Sequence, residues 1–355
     1  MKIDVKACAG LLKEHDNILI LTHAHPDGDT LGSGFALLRA LLKLGKTARV
    51  INDDEIPAKY SYLYEDLHCK PFQEEYIVAV DVATENLLGN LQNKYSGRVD
   101  LCIDHHLTNT EYAGNLLLRD APAACEIIYD VINELGVPID EKIANCLYTG
   151  ISTDTGCFRY ASTTAHSYRI AAKLIDAGAN NGLINRKMFE TKSKTYVNLE
   201  RLALNGLQLF CQDRVAVITV TQEMYAKTGS NEQETEALAP LTRQIEGVEI
   251  GITIREKKDK TCKASLRTYE SVNAADLAKY FGGGGHAQAA ACRFDCSVEE
   301  AKKRIIAKCA EILGGPVYSA STRIRAELPF LSVLRSERSP GRKNAAIWAH
   351  WILLQ

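Results

Sequence analysis

The sequence contains no run of ~18 apolar residues, so no stretch has the length and composition of a transmembrane helix. Its 11 cysteines include no Cys-x-x-Cys pair, and no quartet with zinc-site spacing can be assembled from them. The first residues lack the apolar core of a secretory signal peptide. Several cysteines, such as Cys102, Cys125 and Cys146, lie in apolar patterns where a thiol acts as a small hydrophobic side chain. We therefore expect a protein of the reducing cytoplasm without a membrane partner.

An excess of charge of either sign is also missing, because 42 Lys and Arg face 44 Asp and Glu, for a net charge of −2. Residues 317–355 hold six basic and two acidic side chains, which leaves −6 on the rest of the chain. Sequence-independent binding to duplex nucleic acid requires many cations that neutralise phosphates. The acidic main body of the chain argues against binding to duplex nucleic acid. The same negative charge is compatible with a small anionic substrate that is held by metal ions.

A length of 355 residues is sufficient for two domains, and 46% hydrophobic with 24% charged residues is ordinary for a globular protein. Alternating strand and helix patterns predict an α/β fold, with a mostly parallel sheet flanked by helices and a smaller α/β domain after a linker. We place the domains at 1–185 and 206–315, with the linker at 186–205. The tail at 316–355 holds both tryptophans and is predicted to be a disordered extension or sequence foreign to the folded unit.

The stretch from residue 18 to residue 34 predicts a strand, a polar loop and a helix. An apolar run at 18–21 is followed by His23, His25, Asp27 and Asp29, and a helical pattern then covers 30–45. The loop would lie at the carboxyl end of a strand, where open α/β sheets bind ligands. Imidazole and carboxylate donors suit Mn²⁺ or a similar ion. Taken alone, the loop could equally be a solvated turn rich in Asp.

Two later apolar runs end in the same way. Residues 76–81 end in Asp81, and residues 99–106 end in Asp104, His105 and His106. Parallel strands would bring all these ends to one edge of a sheet. A helix cap or turn remains the alternative for Asp81 alone, and a coincidental polar turn remains the alternative for the triplet.

Predicted helices complete the first domain. They cover 4–15, 121–135, 164–177 and a segment from about 140 that ends near Asp154 and Arg159, and a second strand is placed at 47–51. A connecting helix is expected within 180–200.

The second domain is predicted from shorter patterns. Strands are expected at 214–221, 247–255 and 262–268, and helices at 273–281 and 298–313. Four glycines at 282–285 precede His286 and suggest backbone amides that approach an anion closely, with a flexible linker as the alternative.

These motifs together resemble those of a known family. His-x-His-Pro-Asp-Gly-Asp at 23–29, Asp81, Asp-His-His at 104–106 and Thr-Asp-Thr-Gly at 153–156 look like the four motifs of the DHH phosphoesterases. Ser-Leu-Arg at 265–267 and Gly-Gly-Gly-Gly-His at 282–286 look like the DHH-associated second domain. Order and spacing over about 5–314 are similar to the nanoRNase branch, which degrades very short oligoribonucleotides and dephosphorylates phosphoadenosine phosphate (pAp).

The resemblance implies roles for the matching residues. One metal ion would be held by His23, Asp27 and Asp81, and a second by Asp29, Asp81, His105 and Asp154. Asp104 would orient a ligand, and His106 would face the scissile phosphate as a donor or general acid. Arg159 is predicted to be a further catalytic residue, beside Asp104 and His106. Substrate binding would involve Arg267, Gly282, Gly283, Gly284, Gly285 and His286.

The charges of these residues agree with a site for two divalent ions, of which Mn²⁺ is expected. Four carboxylates and two divalent cations give a nearly neutral centre, so Arg159, Arg267 and His286 would balance the charge of the substrate. Two metal ions ~3.5–4 Å apart can activate a water and stabilise both oxygens of an in-line displacement. We expect the active site in a cleft between the domains, closed at one end so that it admits short single-stranded RNA and nucleotides.

Other functions share these motifs. A phosphodiesterase acting on cyclic di-AMP or pApA would use the same site, and an inorganic pyrophosphatase would use the metal motifs without the glycine-rich domain. A nucleotide-binding regulator with a degenerate site is disfavoured because every ligand position is filled. A homodimer is compatible with the sequence.

Overall fold

The computed structural model describes residues 1–269 and 271–316, apart from the side chains of Gln233, Glu236 and His286. The tail predicted to be disordered therefore lies, from residue 317 onward, outside the described residues. The chain divides into two compact units, the first ending at Thr191 and the second beginning at Lys192. None of the helices in the described ranges is long and apolar enough to cross a membrane.

The first unit is built on a parallel sheet of five strands within the described residues. The strand order is β2-β1-β3-β4-β5, and every neighbouring pair is parallel. The strands are β1 (Ile18–Leu21), β2 (Ala48–Ile51), β3 (Tyr76–Val80), β4 (Leu101–Asp104) and β5 (Asn115–Leu118). Because all strands run the same way, their carboxyl ends share one edge of the sheet.

Helices flank this sheet. They are α1 (Val5–Glu14), α2 (Gly28–Lys43), α3 (Gln92–Tyr95), α4 (Ala124–Leu135), α5 (Glu141–Asp154), α6 (Ala165–Asp176) and α7 (Asn181–Asn185). Short 3₁₀ segments cover Ala58–Leu63 and Glu85–Leu91, and a π turn covers Arg186–Glu190.

Both faces of the sheet are buried, which explains the continuous apolar runs of its strands. Ile18 and Ile20 of β1 belong to a core cluster with α2, α4 and α5. Leu19 and Leu21 point to the other face, where they belong to a cluster with Tyr95. The alternation of a strand therefore places neighbouring residues in two different cores.

Helices α2 and α5 approach each other closely because glycines line their contact. A Cβ atom on Gly32 would lie 2.5 Å from the carbonyl oxygen of Cys146, and one on Gly150 would lie 3.0 Å from the Cα of Asp29. Both distances are too short for a larger residue. The glycines thus bring the start of α2 beside the end of α5.

The second unit contains a mixed sheet of six strands among the described residues. Its order is β10-β11-β9-β8-β7-β6, and only β7 and β8 pair in parallel. The strands are β6 (Gln208–Phe210), β7 (Val215–Val220), β8 (Ile250–Glu256), β9 (Cys262–Thr268), β10 (Gly284–His286) and β11 (Ala289–Phe294).

The helices of the second unit are α8 (Lys194–Asn205), α9 (Gln222–Thr228), α10 (Glu232–Thr235), α11 (Ala274–Tyr280) and α12 (Val298–Leu313). Short 3₁₀ segments cover Glu236–Leu238 and Leu241–Gln244. The predicted α/β fold class, a mostly parallel sheet flanked by helices and followed by a second α/β domain, is confirmed, and the sheet of the second unit is found to be mixed.

Part of the glycine run differs from the predicted loop. Gly284 and Gly285 belong to β10 and pair with Ala291 and Ala290 of β11 in an antiparallel hairpin. A Cβ atom on Gly285 would lie 2.6 Å from the Cα of Ala290, so the hairpin requires glycine there. Sequence patterns missed this hairpin because glycine and alanine have low strand propensity and show no alternation.

Candidate metal centre

The loop after β1 contributes His23 and Asp27. The Asp27 side chain caps α2 by accepting hydrogen bonds from the amides of Asp29 and Thr30, which starts the helix earlier than predicted, at residue 28. His23 Nδ1 lies 2.8 Å from the carbonyl oxygen of Ala24, which turns Nε2 towards the acids. That nitrogen is 3.7 Å from Asp27 Oδ1 and 3.6 Å from Asp81 Oδ2.

His25 belongs to the same motif but not to the cluster. Its side chain is 92% exposed, and its Nδ1 lies 2.9 Å from the Asp54 carboxylate.

The ends of β3 and β4 contribute Asp81, Asp104, His105 and His106. Asp81 is 2% exposed and adopts a left-handed backbone conformation with φ of 59°. His105 Nε2 lies 3.3 Å from Asp81 Oδ1, and His106 Nδ1 lies 2.8 Å from Asp104 Oδ1. His106 Nδ1 also lies 3.5 Å from Asp81 Oδ1, so two strand ends that are neighbours in the sheet bring two imidazoles to one buried carboxylate.

Asp29 and Asp154 come from α2 and α5. Nε2 of His105 lies 3.9 Å from Asp29 Oδ2 and 3.6 Å from Asp154 Oδ2. Asp29 is fully buried and accepts hydrogen bonds from the amides of Ala124 and Cys125 at the start of α4. The amino-terminal end of a helix favours a negative charge at this position.

The structure brings all six residues predicted as metal ligands into overlapping groups. Ligand atoms lie within 4.8 Å of one another in each group, and the groups are His23–Asp27–Asp81, Asp29–His105–Asp154 and Asp81–Asp104–His105–His106. Asp81 Oδ1 and His105 Nε2 are buried and make no hydrogen bond. Leaving a buried polar atom without a partner is costly. The donor set and these two atoms therefore fit a divalent cation.

The pKa values of the cluster record an excess of negative charge. Burial and the charge of Asp81 raise the pKa of Asp29 to about 7. Burial and the charges of Asp29, Asp27 and Asp81 raise the pKa of Asp154 well above its ordinary value. Although burial acts in the opposite direction, contacts with neighbouring carboxylates raise the pKa of His23 and of His105 to about 11. Each raised pKa means that the group keeps its proton to a higher pH, which reduces the net negative charge of the cluster.

A cavity of about 270 Å³ opens onto the cluster. It is lined by His23, Ala24, Asp27, Asp81, Leu87, His106 and Asp154. The wall formed by Ala24 and Leu87 is apolar, and Leu87 is 41% exposed. The cavity thus combines an acidic floor with one apolar side.

Within the described part of the chain, Arg159 and the predicted substrate-binding residues do not belong to these groups of candidate ligands. Arg159 follows α5, donates through Nε to the carbonyl oxygen of Gly156 at 2.6 Å and lies 6.0 Å from the centre of the Phe189 ring. Arg267 lies on β9 of the second unit, and Gly282 and Gly283 precede β10. The side chain of His286 lies outside the described residues.

Sequence reasoning missed residues that support the cluster. Asn109 Nδ2 donates to Asp104 Oδ2 at 2.6 Å, so Asp104 binds His106 with one oxygen and Asn109 with the other. Asn52 and Asp54 hold the loop that contains His23. Their polar, turn-like surroundings give no local sign of these contacts.

A parallel sheet with a His and Asp cluster at its carboxyl edge places the chain in the class of α/β proteins with a candidate site for divalent metal ions. Residues 17–151 match the DHH family, N-terminal domain, and residues 212–315 match the DHHA1 domain. The chain belongs to the DHH family of phosphoesterases and is therefore a hydrolase.

Curated relatives cover most of the chain. The bifunctional oligoribonuclease and PAP phosphatase NrnA of Thermus thermophilus is 32% identical, over 81% of this chain and 88% of the relative. The protein of the same name from Bacillus subtilis is 25% identical, over 77% of this chain and 87% of the relative.

A solved structure shares the fold. An exopolyphosphatase-related protein from Bacteroides fragilis matches with a TM-score of 0.80 and 24% identity, over 87% of this chain and 97% of that protein.

Proposed function

We propose that the chain hydrolyses very short oligoribonucleotides to mononucleotides and removes a phosphate from pAp to give AMP. The observation that carries this proposal is the partly buried His and Asp cluster at the floor of a cavity with one apolar wall. The names of the relatives from Thermus thermophilus and Bacillus subtilis support the choice of substrates. The 11 cysteines, all unbridged, agree with a cytoplasmic location.

Two divalent ions, proposed to be Mn²⁺, would be held as the overlapping groups suggest. His23, Asp27 and Asp81 would hold one ion, and Asp29, Asp81, His105 and Asp154 would hold the other. Such ions, when bound, lower the pKa of a water and stabilise the attacking and leaving oxygens of an in-line displacement. Asp81 would be the ligand shared by both ions, which is supported by the position of one of its oxygens near His23 and the other near His105.

His106 is proposed to donate a proton or a hydrogen bond to the scissile phosphate. Asp104 binds its Nδ1, so Nε2 is the ring nitrogen that can act on a substrate. Asn109 fixes the second oxygen of Asp104 and thereby holds the carboxylate in this orientation. The contact with Asp104 keeps a hydrogen on Nδ1 and limits rotation of the ring, so donation from Nε2 requires the doubly protonated form of His106.

The apolar wall favours a substrate with a nucleoside. An inorganic phosphate or pyrophosphate has no apolar surface, whereas a ribose or a base can cover the exposed side of Leu87. In the second unit, we assign the terminal nucleotide to Arg267, the glycines at 282–285 and His286. Arg159 would supply a further positive charge for the substrate.

The decisive experiment is a product analysis with Mn²⁺ on pApA, a 5′-labelled RNA of five nucleotides, pAp and cyclic di-AMP. Asp81→Asn serves as the inactive control. Release of mononucleotides from the RNA, together with phosphate from pAp, is the expected result. Cleavage confined to cyclic di-AMP or pApA would reassign the chain to second-messenger turnover, and inactivity on all four substrates would contradict the proposal.

A further inference from the structure

Three consecutive polar residues follow β2, and their side chains bind the two loops that wall the cavity. These residues are Asn52, Asp53 and Asp54, and we call them the β2 clamp. We propose that Asn52 is a positioning residue that holds His23 in the geometry required for metal binding. This inference rests on the proposed function, because it concerns the same metal centre.

Asn52 binds the loop after β1 at two points. Its Nδ2 donates to Thr22 Oγ1 at 2.7 Å and to the carbonyl oxygen of His23 at 2.7 Å. Its Oδ1 accepts the amide of Asp54 at 2.9 Å, which fixes the orientation of the side-chain amide. Both hydrogens of Nδ2 are therefore used on the backbone and side chain that lead into His23.

Asp54 holds the next part of the same loop. Its Oδ2 accepts the amide of His25 at 2.7 Å and lies 2.9 Å from His25 Nδ1. His25 has a φ of 55°, a left-handed conformation that is unfavourable for a residue with a Cβ atom. The clamp thus stabilises a strained residue midway between His23 and Asp27.

Asp53 binds the opposite wall of the cavity. Its Oδ2 accepts both the amide and Nδ2 of Asn90, at 2.8 and 2.9 Å. The two loops also meet directly, because the amide of Ala24 donates to the carbonyl oxygen of Leu87 at 2.7 Å. One short segment therefore connects the loop of His23 with the loop of Leu87.

The position of His23 Nε2 depends on these backbone contacts. The contact of Nδ1 with the adjacent Ala24 carbonyl ties the ring to its own backbone, so movement of the backbone shifts Nε2 relative to the Asp27 and Asp81 carboxylates. Partners that orient metal-binding residues commonly contribute about 10- to 100-fold to metal affinity. Loss of the Asn52 donor should therefore weaken metal binding without removing any ligand.

The test compares Asn52→Asp with Asn115→Asp by Mn²⁺ titration of the chelator-treated full chain, followed by electron paramagnetic resonance. Both changes are nearly isosteric and remove an Nδ2 donor to a backbone carbonyl. Asn115 begins β5 and so lies at the amino end of a strand, whereas Asn52 follows the carboxyl end of β2. Titrations are made well below the melting temperature of each metal-free variant, so only folded protein is measured.

We expect Asn52→Asp to raise the Kd of Mn²⁺ at least about tenfold, and Asn115→Asp to change it less than about twofold. Asp54→Ala, which releases His25, should also raise the Kd, by a smaller factor. Wild-type affinity in Asn52→Asp would overturn this inference alone. If the wild-type chain binds no Mn²⁺, the proposed function fails with it.

Discussion

Asp81 Oδ1 and His105 Nε2 lie 3.3 Å apart, both are buried, and neither makes a hydrogen bond. Each atom also lies close to a second potential ligand, since Asp81 Oδ1 is 3.5 Å from His106 Nδ1 and His105 Nε2 is 3.6 Å from Asp154 Oδ2. Buried polar atoms in a folded chain normally have hydrogen-bond partners. Two such atoms without a hydrogen bond, side by side at the carboxyl edge of the sheet, indicate a site that binds a cation.

Replacement of Asp81 by Asn should abolish metal binding and catalysis. The neutral amide removes a negative charge that is shared by the groups around His23 and around His105. We expect a decrease in Mn²⁺ affinity and in kcat/KM on pAp of at least about 100-fold. Calorimetric titration and phosphate release measure the two effects. Asp176→Asn, at the exposed end of α6, is the control and should match the wild type.

The metal-free protein should lose stability as the pH rises. The pKa of Asp29 is raised to about 7, so its stabilising contribution is fully present below 3.8 and is lost as the pH rises through about 7. For His23 and His105 the contribution is present below 6.5 and is lost as the pH rises through about 11. Stability should therefore fall with rising pH first through Asp29, up to about pH 7, and then through His23 and His105, from about pH 6.5 upward.

Melting temperatures in chelator and in Mn²⁺ across this pH range test the expectation. The curve in chelator should fall with pH, and Mn²⁺ should stabilise the protein more at the alkaline end. A melting temperature in chelator that rises with pH would contradict the assigned shifts. Asp29→Asn should flatten the acidic part of the curve, because it removes the carboxyl whose pKa is about 7.

Replacement of Gly150 by Ala should disturb the packing of α5 against α2 and α4. The added Cβ would overlap Cys125 Sγ on α4 and lie 2.6 Å from Asp29 Oδ1 on α2, so these neighbours must shift. We expect a loss of about 1–3 kcal/mol in the free energy of unfolding, together with weaker Mn²⁺ binding. The matched control is Gly10→Ala on α1, where nothing lies within 4 Å of the added atom and helix propensity predicts a small gain. Equal stability of the two variants would argue against the close approach.

The ligand positions could be predicted because they follow strands buried on both faces. Continuous apolar runs ending in Asp81 or Asp104 are a local pattern, and parallel topology places such ends together. The same reasoning could not find Asn52 or Asp54. Their function depends on the pairing of β2 with β1, which brings residues 29 or 30 positions apart in sequence into contact.

Other elements were missed for reasons of composition. Strand β5 reads Asn-Leu-Leu-Leu, without a β-branched or aromatic residue, and β10 consists largely of glycine. The close contact of α2 and α5 could not be predicted either, because a glycine within a helical pattern indicates only a lower helix propensity. Sequence patterns therefore predict positions along an element better than distances between elements.

Replacement of Leu87 by Ser should weaken the binding of nucleotides but not of inorganic phosphate. The exposed side of Leu87 faces the cavity, and its loss removes apolar contact of about 1 kcal/mol, or about fivefold in affinity. The inhibition constants of AMP and of inorganic phosphate, measured on pAp hydrolysis, report nucleotide binding and phosphate binding separately. Leu44→Ser is the control, because Leu44 is 38% exposed at the far end of α2, about 24 Å along the helix from the cluster. An equal effect on both inhibitors would contradict a nucleoside-binding wall.

Replacement of Arg267 by Ala should raise KM for pApA while sparing a small activated phosphodiester. The guanidinium is proposed to bind the terminal nucleotide, and a hydrogen bond to a charged group contributes about 1.5–3 kcal/mol, or about 10- to 100-fold in KM. Bis(p-nitrophenyl) phosphate has no such nucleotide, so its hydrolysis should continue at the wild-type rate.

Arg201→Ala provides the control for this variant. Arg201 is exposed on α8, a helix of the second unit that does not contribute to the sheet that carries Arg267. The control removes an equal charge and should leave KM for pApA unchanged. Equal losses of Arg267→Ala on both substrates would mean that Arg267 supports the folded metal centre or the chemical step, and the assignment of substrate binding to the second unit would then be wrong.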